Sequence, residues 1–323
     1  MPQLSILTAF LNEESNLPVL RERVSTALTL AGVDYEIVLI DDHSTDGSAE
    51  IAKEWAREDL RVQYIRLSRN YGSHAAYSAG LAKCRGDSAI LLAADLQDPP
   101  EMIPELLQCW RAGNDVVWAT RSAREGESWY TKLFARVYYW MMRRFALPDM
   151  PRKGADFLLL DRKVIDAYKA IPEKNTSFLA MILWMGFRQT TIEYTKLARN
   201  AGSSKWTLSK RIKLLIDSIV SFSYVPIRFM SLFGSLMAVA GFCYGLVVVV
   251  GRLTGWVAAG TGFAALMTVL LVGQGAILLM LGVLGEYLWR TFDEARGRPR
   301  YIIEEFIGSG NNSPDSQSQK VQS

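Results

Sequence analysis

Residues 35–58 read YEIVLIDDHSTDGSAEIAKEWARE. A short β-branched and aliphatic run halts on two acids, and a helical stretch follows after a few polar residues. The same order recurs on either side. LSILTAF is followed by the helical NLPVLRERVSTALTLAG, and VQYIRL, AILLAAD and DVVWAT extend the series of strand-like runs. Strands alternating with helices make βαβ units, so residues 1–204 are predicted as an α/β domain around a Rossmann-like, mostly parallel sheet. Such sheets bind ligands beyond the carboxyl ends of their strands. The polar residues expected there are Asn12 and Glu13 after the first strand, Asp41 and Asp42 after the second, and Asp95 after the fourth.

Two of these ends have competing readings. In DDHSTDGS, Ser44 and Asp46 suit an N-cap for the next helix, while Asp42 suits a hydrogen bond to a ribose or a base. In ADLQDPPE (residues 94–101), acids and prolines suit a turn. The pair Asp95 and Gln97, two residues apart beyond a buried strand, also suits a hard divalent cation that shares its remaining ligands with a diphosphate.

Composition narrows the classes. The chain has 323 residues, is half hydrophobic, and carries 36 basic against 33 acidic residues, a net charge of +3 that gives no sign of nucleic-acid binding. Cys84, Cys109 and Cys243 are far apart, and His43 and His74 are the two histidines, so neither a disulfide framework nor a zinc site is indicated. The N-terminal MPQLSILTAFLNEE lacks a basic region and a small-residue cleavage site and reads as a strand rather than a signal peptide.

A second unit follows. Phe229 to Gly251 and about Thr261 to Gly285 carry no charge apart from Arg252 in the turn between them, and each exceeds the roughly 20 apolar residues that cross a bilayer core. Residues 229–285 are therefore predicted as two transmembrane helices, the competing reading being a buried soluble hairpin. Lys196, Arg199, Lys205, Lys210, Arg211, Lys213 and Arg228 precede them and Arg290, Arg296, Arg298 and Arg300 follow, which places both ends in the cytoplasm. Residues 129–147, WYTKLFARVYYWMMRRFAL, interleave aromatic and basic side chains as an interfacial helix does, and 205–228 form an amphipathic juxtamembrane segment. For both, an ordinary amphipathic core helix is the alternative. Residues 286–307 read as a cytoplasmic C-terminal segment and 308–323 as a disordered polar tail.

The blocks DDHSTDGS, LSRNYGSHAAYSAGL, ADLQDPPE, ATRSAREGE, GADFLLLDRKV, RNAGSSKW and LGEYLWRTFDEARGRPRYII stand in an order that resembles family 2 glycosyltransferases of the polyprenyl-phosphate branch. That is the group of bactoprenol glucosyltransferases, undecaprenyl-phosphate formamidoarabinose transferases and, more distantly, dolichol-phosphate mannose synthases. The resemblance spans about residues 3 to 306. It implies a GT-A fold and inverting transfer of one sugar from a UDP-sugar to undecaprenyl phosphate at the cytoplasmic face of a bacterial inner membrane. The product would be a lipid-linked sugar for cell-envelope glycan or lipid modification. It implies donor-nucleotide contacts at Ala9, Leu11, Asn12, Glu13 and Asp42, and phosphate contacts at Arg121, Arg199 and Lys205. It also implies Mg2+ or Mn2+ at Asp95 and Gln97, with Asp98 as a further candidate ligand, and active-site acids at Asp95 and Asp156, although Asp156 equally suits a loop brace. The partners implied are a nucleotide sugar, a polyprenyl phosphate, a membrane and further copies of the chain, without nucleic acid.

A phosphomonoester acceptor is already an anion near neutral pH, so a general base is not required, and neither histidine falls where one would be presented. The chain departs from the family pattern at three positions. Ala93 stands where the first acid of Asp-x-Asp is usual, His43 where glycine is usual, and Leu158 where a related motif has arginine. Ala93 and Leu158 leave two readings beside the enzyme with a different donor sugar: weakened catalysis, or a membrane-anchored scaffold that binds sugar nucleotides. A processive polysaccharide synthase fits less well, because Q-x-x-R-W is absent and two spans are too few to line a channel.

Overall fold

The computed structural model describes residues 2–121, 136, 140–144, 157–173, 177–195, 225–255 and 262–308. Asp156, Arg199, Lys205, the segment 205–222, most of 129–147 and the tail from 309 lie outside the described residues.

Each of the first four strand-like runs forms a strand with a helix after it. The order is β1 (Leu4–Phe10), α1 (Leu17–Ala31), β2 (Tyr35–Asp41), α2 (Ser48–Glu58), β3 (Val62–Leu67), α3 (Ser73–Lys83) and β4 (Ser88–Leu91), then a 3-10 turn (Pro100–Met102) leading into α4 (Ile103–Arg111). The fifth run forms β5 (Val116–Arg121). Three further strands were not read from the sequence: β6 (Phe157–Asp161), β7 (Gln189–Tyr194) and β8 (Ile303–Ile307). Helices α5 (Arg162–Ala170) and α6 (Phe178–Trp184) lie between β6 and β7 in the chain.

The eight strands form one sheet in the order β7-β5-β6-β4-β1-β2-β3-β8. Strands β4, β1, β2 and β3 are mutually parallel, β6 runs antiparallel to β4 and β5, β7 is parallel to β5, and β8 is antiparallel to β3. Its core is aliphatic and aromatic: Ile6, Leu20, Ile37, Leu39, Tyr64, Ile90, Leu106, Val117 and Phe157 are all buried. Helix α3 lies close to the sheet because position 80 has no side chain; a Cβ there would sit 2.9 Å from the Ile40 side chain. Leu158 is fully buried in β6 between Leu91 and Trp118.

The described residues fall into two compact units, one running to 195 and resuming at Pro299, the other covering 225–298. The second contains α7 (Val225–Leu253) and α8 (Phe263–Ala295). Both helices are long and apolar enough to cross a membrane: Ile227–Gly251 has mean hydropathy 2.2 and Val272–Ala295 has 1.4. Leu232, Leu236, Phe242, Val247, Leu270, Leu278 and Leu284 are exposed, unlike the side chains of a soluble protein's core helices. The stretch expected as one C-terminal segment, 286–307, divides in the structure. Its first part continues α8, and its last five residues add an edge strand to the sheet of the other unit.

Candidate functional site

Parallel pairing brings the carboxyl ends of β1, β2, β3 and β4 to one edge of the sheet. Phe10 pairs with Asp41 and Leu7 with Leu91, so the segments leaving β1, β2 and β4 emerge side by side. Ala9, the one half-exposed residue of β1, is at this edge.

The β1–α1 and β2–α2 loops are laced together. The Asn12 N–H donates to Ser44 Oγ (3.0 Å), the Thr45 N–H to Asn12 Oδ1 (2.8 Å), the Glu13 N–H to Ser48 Oγ (2.8 Å), and the Gly47 N–H to Glu14 Oε2 (3.0 Å). Glu13 Oε2 accepts from Asn16 Nδ2 (2.7 Å). Leu11, Asn12, Glu13 and Asp42 are thus brought to neighbouring loops, as the sequence implies. Ser44 binds across to the first loop; the N-cap of α2 is Gly47, without a side-chain cap bond, so neither Ser44 nor Asp46 is the capping residue, although Asp46 Oδ1 accepts the N–H of Ser48 at the start of the helix at 3.1 Å.

The acidic pair also braces the fold. Asp41, fully buried, accepts the Ser44 N–H (2.7 Å), the Tyr64 hydroxyl (3.0 Å) and Arg66 Nη1 (2.7 Å). Burial, and then the Asp41 charge, push the Tyr64 hydroxyl up, so it stays a donor. Asp42 takes the Tyr71 N–H on Oδ1 (2.7 Å) and the Gly72 N–H on Oδ2 (2.8 Å), fixing the start of α3. Gly72 has φ 89° and ψ 159°, a conformation open essentially to glycine alone, and this orients its N–H onto Asp42. Burial pushes the Asp42 carboxyl up, against the lowering by these two N–H groups.

Beyond β4 the chain alternates. Ala93, Asp95, Gln97 and Pro99 are half-exposed while Ala94, Leu96, Asp98 and Pro100 are buried. Ala93, Asp95 and Gln97 therefore share the open side, with the Gln97 N–H on Asp95 Oδ1 at 3.2 Å. Leu96 sits between them at φ 59°. Asp98, only 1% exposed, accepts the Tyr194 hydroxyl and so ties this loop to the end of β7. Arg121 closes β5 with its backbone opposite Tyr194; its side chain lies outside the described residues.

The donor set suits a hard cation in part. Asp95 and Gln97 present oxygen on one open side, yet no cluster of three or more His, Cys, Asp or Glu side chains able to hold a metal occurs among the described residues. Two protein donors fit a cation that arrives with a diphosphate and keeps its other ligands there, not one held in an all-protein cage.

Residues 5–168 match glycosyl transferase family 2. The chain belongs to this family. The resemblance read from the sequence is borne out by relatives of nearly equal length. An undecaprenyl-phosphate 4-deoxy-4-formamido-L-arabinose transferase from Yersinia enterocolitica is 37% identical over 309 residues, covering 95% of this chain and 94% of that protein. A prophage-derived bactoprenol glucosyl transferase from Shigella flexneri is 33% identical over 302 residues, covering 94% and 97%. A crystal structure of glucosyl-3-phosphoglycerate synthase from Mycobacterium tuberculosis with Mn2+, UDP and phosphoglyceric acid has a TM-score of 0.48 at 15% identity, over 68% of this chain and 76% of that one. The protein is a glycosyltransferase whose mostly parallel mixed sheet is the GT-A fold, joined to two apolar C-terminal helices.

Sequence reasoning missed Tyr194 and Arg66, which hold Asp98 and Asp41. QTTIEY is a short half-polar strand without strong periodicity, and both residues stand far along the chain from the acids they hold.

Proposed function

We propose that this family 2 glycosyltransferase moves one sugar from a UDP-sugar to a polyprenyl phosphate, undecaprenyl phosphate in a bacterial cell, at the cytoplasmic face of the membrane. The observation that carries the reading is the joint presence of two features in one chain. One is an open carboxylate–amide pair, Asp95 and Gln97, at the carboxyl edge of the sheet. The other is a pair of apolar helices, matched over almost its whole length by relatives named for undecaprenyl phosphate and bactoprenol.

In this reading the laced loops at Ala9, Leu11, Asn12, Glu13 and Asp42 form the seat of the nucleotide. Asp95 and Gln97 would hold Mg2+ or Mn2+, which would supply positive charge to the donor diphosphate. Asp98, with its Tyr194 bond, sets the loop that carries them. Arg121, Arg199 and Lys205 take phosphate charge, and Asp156 serves either as an active-site acid or as a loop brace. An acceptor phosphate oxygen forms the new bond to the anomeric carbon from the face opposite the leaving group, the carbon–oxygen bond to the diphosphate breaks, and its electron pair leaves with UDP. Configuration inverts. No proton has to be removed, because the attacking oxygen is already anionic.

The return of β8 to the sheet supports the topology: the segments before and after the apolar pair belong to one folded unit, so they lie on one side of a membrane that the pair crosses. Basic residues at both ends favour the cytoplasm as that side. The test is incubation of purified protein with undecaprenyl phosphate, Mg2+ or Mn2+ and a panel of UDP-sugars, with lipid products identified by mass. A lipid heavier by one sugar is expected. Binding of UDP-sugars without transfer of any would instead favour the scaffold reading that Ala93 raises.

A further inference from the structure

Strand β8 carries an irregularity at one point. Tyr64 pairs with Ile307, Ile65 with Phe306 and Arg66 with Glu305, but Leu67 pairs with Ile303, so Glu304 is one residue too many on β8. Bulges of this kind re-aim a side chain and recur beside functional sites. Here Glu304 Oε2 reaches Arg66 Nε at 3.1 Å, and His43 Nδ1 lies 3.5 Å from the same oxygen. Arg66 in turn donates to Asp41 Oδ2 (2.7 Å) and to the Ser44 carbonyl (3.1 Å). Ser44 holds Asp41 through its N–H (2.7 Å) and Asn12 through its hydroxyl (3.0 Å). A continuous series of bonds therefore runs from the strand that follows the apolar helices, through one guanidinium, to the loops that end β1 and β2.

We propose that Glu304 is a positioning residue for the donor nucleotide, acting through Arg66 on the Ser44–Asn12 loops; this rests on reading those loops as the nucleotide's seat. The physical basis is the geometry of the fork. Arg66 has to hold a fully buried carboxylate, a carbonyl and Glu304 at once, and three contacts on one planar group fix its plane where two leave it free to pivot. With Glu304 in place, the Ser44 carbonyl and the loop behind it are held in the orientation that meets the nucleotide. The neighbouring Glu305 supplies an internal comparison. It also ties β8 to the rest of the unit, through Lys53 Nζ at 2.9 Å, but that pair reaches Asp41 only loosely, through Lys53 over the Tyr64 ring at 5.7 Å and the Tyr64 hydroxyl, and makes no bond to the Arg66 guanidinium.

The experiment measures UDP binding by calorimetry, with Mn2+, on the full-length protein in detergent, alongside the KM and kcat for the donor sugar. Glu304→Ala is expected to weaken UDP about threefold to fivefold and to raise the donor KM by the same factor, with kcat within about twofold, as befits a half-exposed partner. Glu304→Gln, which keeps an accepting oxygen, should restore most of the affinity. Glu305→Ala should leave UDP affinity within about 1.5-fold of wild type. Equal losses in Glu304→Ala and Glu305→Ala would overturn the proposal in favour of general strand docking. So would unchanged UDP affinity in Glu304→Ala while wild type binds UDP. Absence of UDP binding by wild type would overturn the functional reading and the proposal with it, and is distinguishable because no variant is needed to see it.

Discussion

Removing one oxygen from Tyr194 tests whether the loop that carries Asp95 and Gln97 is held from outside. Tyr194→Phe keeps the ring, which meets Phe157 edge-on at 5.8 Å and 84°, so the packing lost is that of one oxygen. What is lost is a hydroxyl donated to Asp98, a carboxylate only 1% exposed. Hydrogen bonds to charged groups contribute about 1.5–3 kcal/mol. For a domain of this size, each kcal/mol shifts Tm by roughly 2–4 °C, which gives a fall of roughly 3–12 °C. The assay is thermal unfolding of the full-length protein in detergent at one scan rate, with turnover titrated against Mg2+ and Mn2+ in parallel. Half-saturation should move to higher cation concentration, since partners that orient a metal ligand commonly carry about 10–100-fold in affinity or activity. Asp98→Asn keeps an acceptor for the hydroxyl and should cost less than Tyr194→Phe. A Tyr194→Phe protein that melts within about 1 °C of wild type with an unchanged cation requirement would refute the reasoning.

Asp95→Asn should abolish divalent-dependent turnover in protein that still folds and inserts, and turnover equal to wild type would remove the cation from Asp95. Because Ala93 shares the open side with Asp95 and Gln97, Ala93→Asp should re-rank donor sugars or change the cation requirement without altering lipid binding. If it instead raises the turnover of a nearly inactive wild type about tenfold or more, catalysis had been weakened at this position. In a cysteine-free background, a thiol at Ala258 should react with an impermeant reagent added from the periplasmic side and one at Ser309 should not; the reverse would invert the topology. Acid stability should change in opposite directions at two nearby carboxylates. Burial raises Asp42, so its contribution is present below the ordinary carboxylate value of 3.8 and is lost as pH rises through the folded value. At Asp46 burial is the largest single effect and raises the carboxyl, but the bonds from Ser48 and the Glu14 N–H together outweigh it and lower the group, so its contribution is present above 3.8 and lost as pH falls. Melting curves from pH 3 to 6 should therefore show Asp42→Asn gaining on wild type as pH rises and Asp46→Asn losing, and parallel curves would count against both assignments.

How much of this was legible in the sequence depended on how local each signal was. β1 to β4 announced themselves because burial on both faces of a parallel sheet demands uninterrupted aliphatic runs such as Ile37–Ile40. The apolar helices announced themselves by length. Edge strands are different: β8 reads i-e-i-i-i in burial and β7 is mostly half-exposed, so neither needs a hydrophobic run and neither shows one. At the carboxyl edge of the sheet, the placement of Asn12, Glu13, Asp42, Asp95 and Gln97 after their strands was legible, but their partners were not. Asp42 looked like a group awaiting a ribose, and the structure also gives it two backbone N–H groups from Tyr71 and Gly72. Nothing local in DDHSTDGS could point to a loop so far along the chain. Asp98 was offered by the sequence as a third metal ligand beside Asp95 and Gln97, whereas alternation along the loop turns it inward to Tyr194.

Backbone strain is concentrated at this same edge. Among the described residues, the non-glycine positions with positive φ are Asn12 (53°), His43 (68°) and Leu96 (59°), and they follow β1, β2 and β4. Each such conformation costs on the order of 1 kcal/mol or more for a side chain with a Cβ. Each is held by something specific: Asn12 Oδ1 by the Thr45 N–H at 2.8 Å, His43 Nδ1 by the Leu67 carbonyl at 3.1 Å, and Leu96 by burial. Glycine at position 43, the family's usual choice, would remove the strain but also the ring that reaches β3 and approaches Glu304. Leu96 shows what the strain achieves, since a left-handed residue between Asp95 and Gln97 closes the turn that leaves both on one open side. Loops held this way in the folded chain need little further ordering when a ligand arrives, so less of its binding energy goes into fixing the protein.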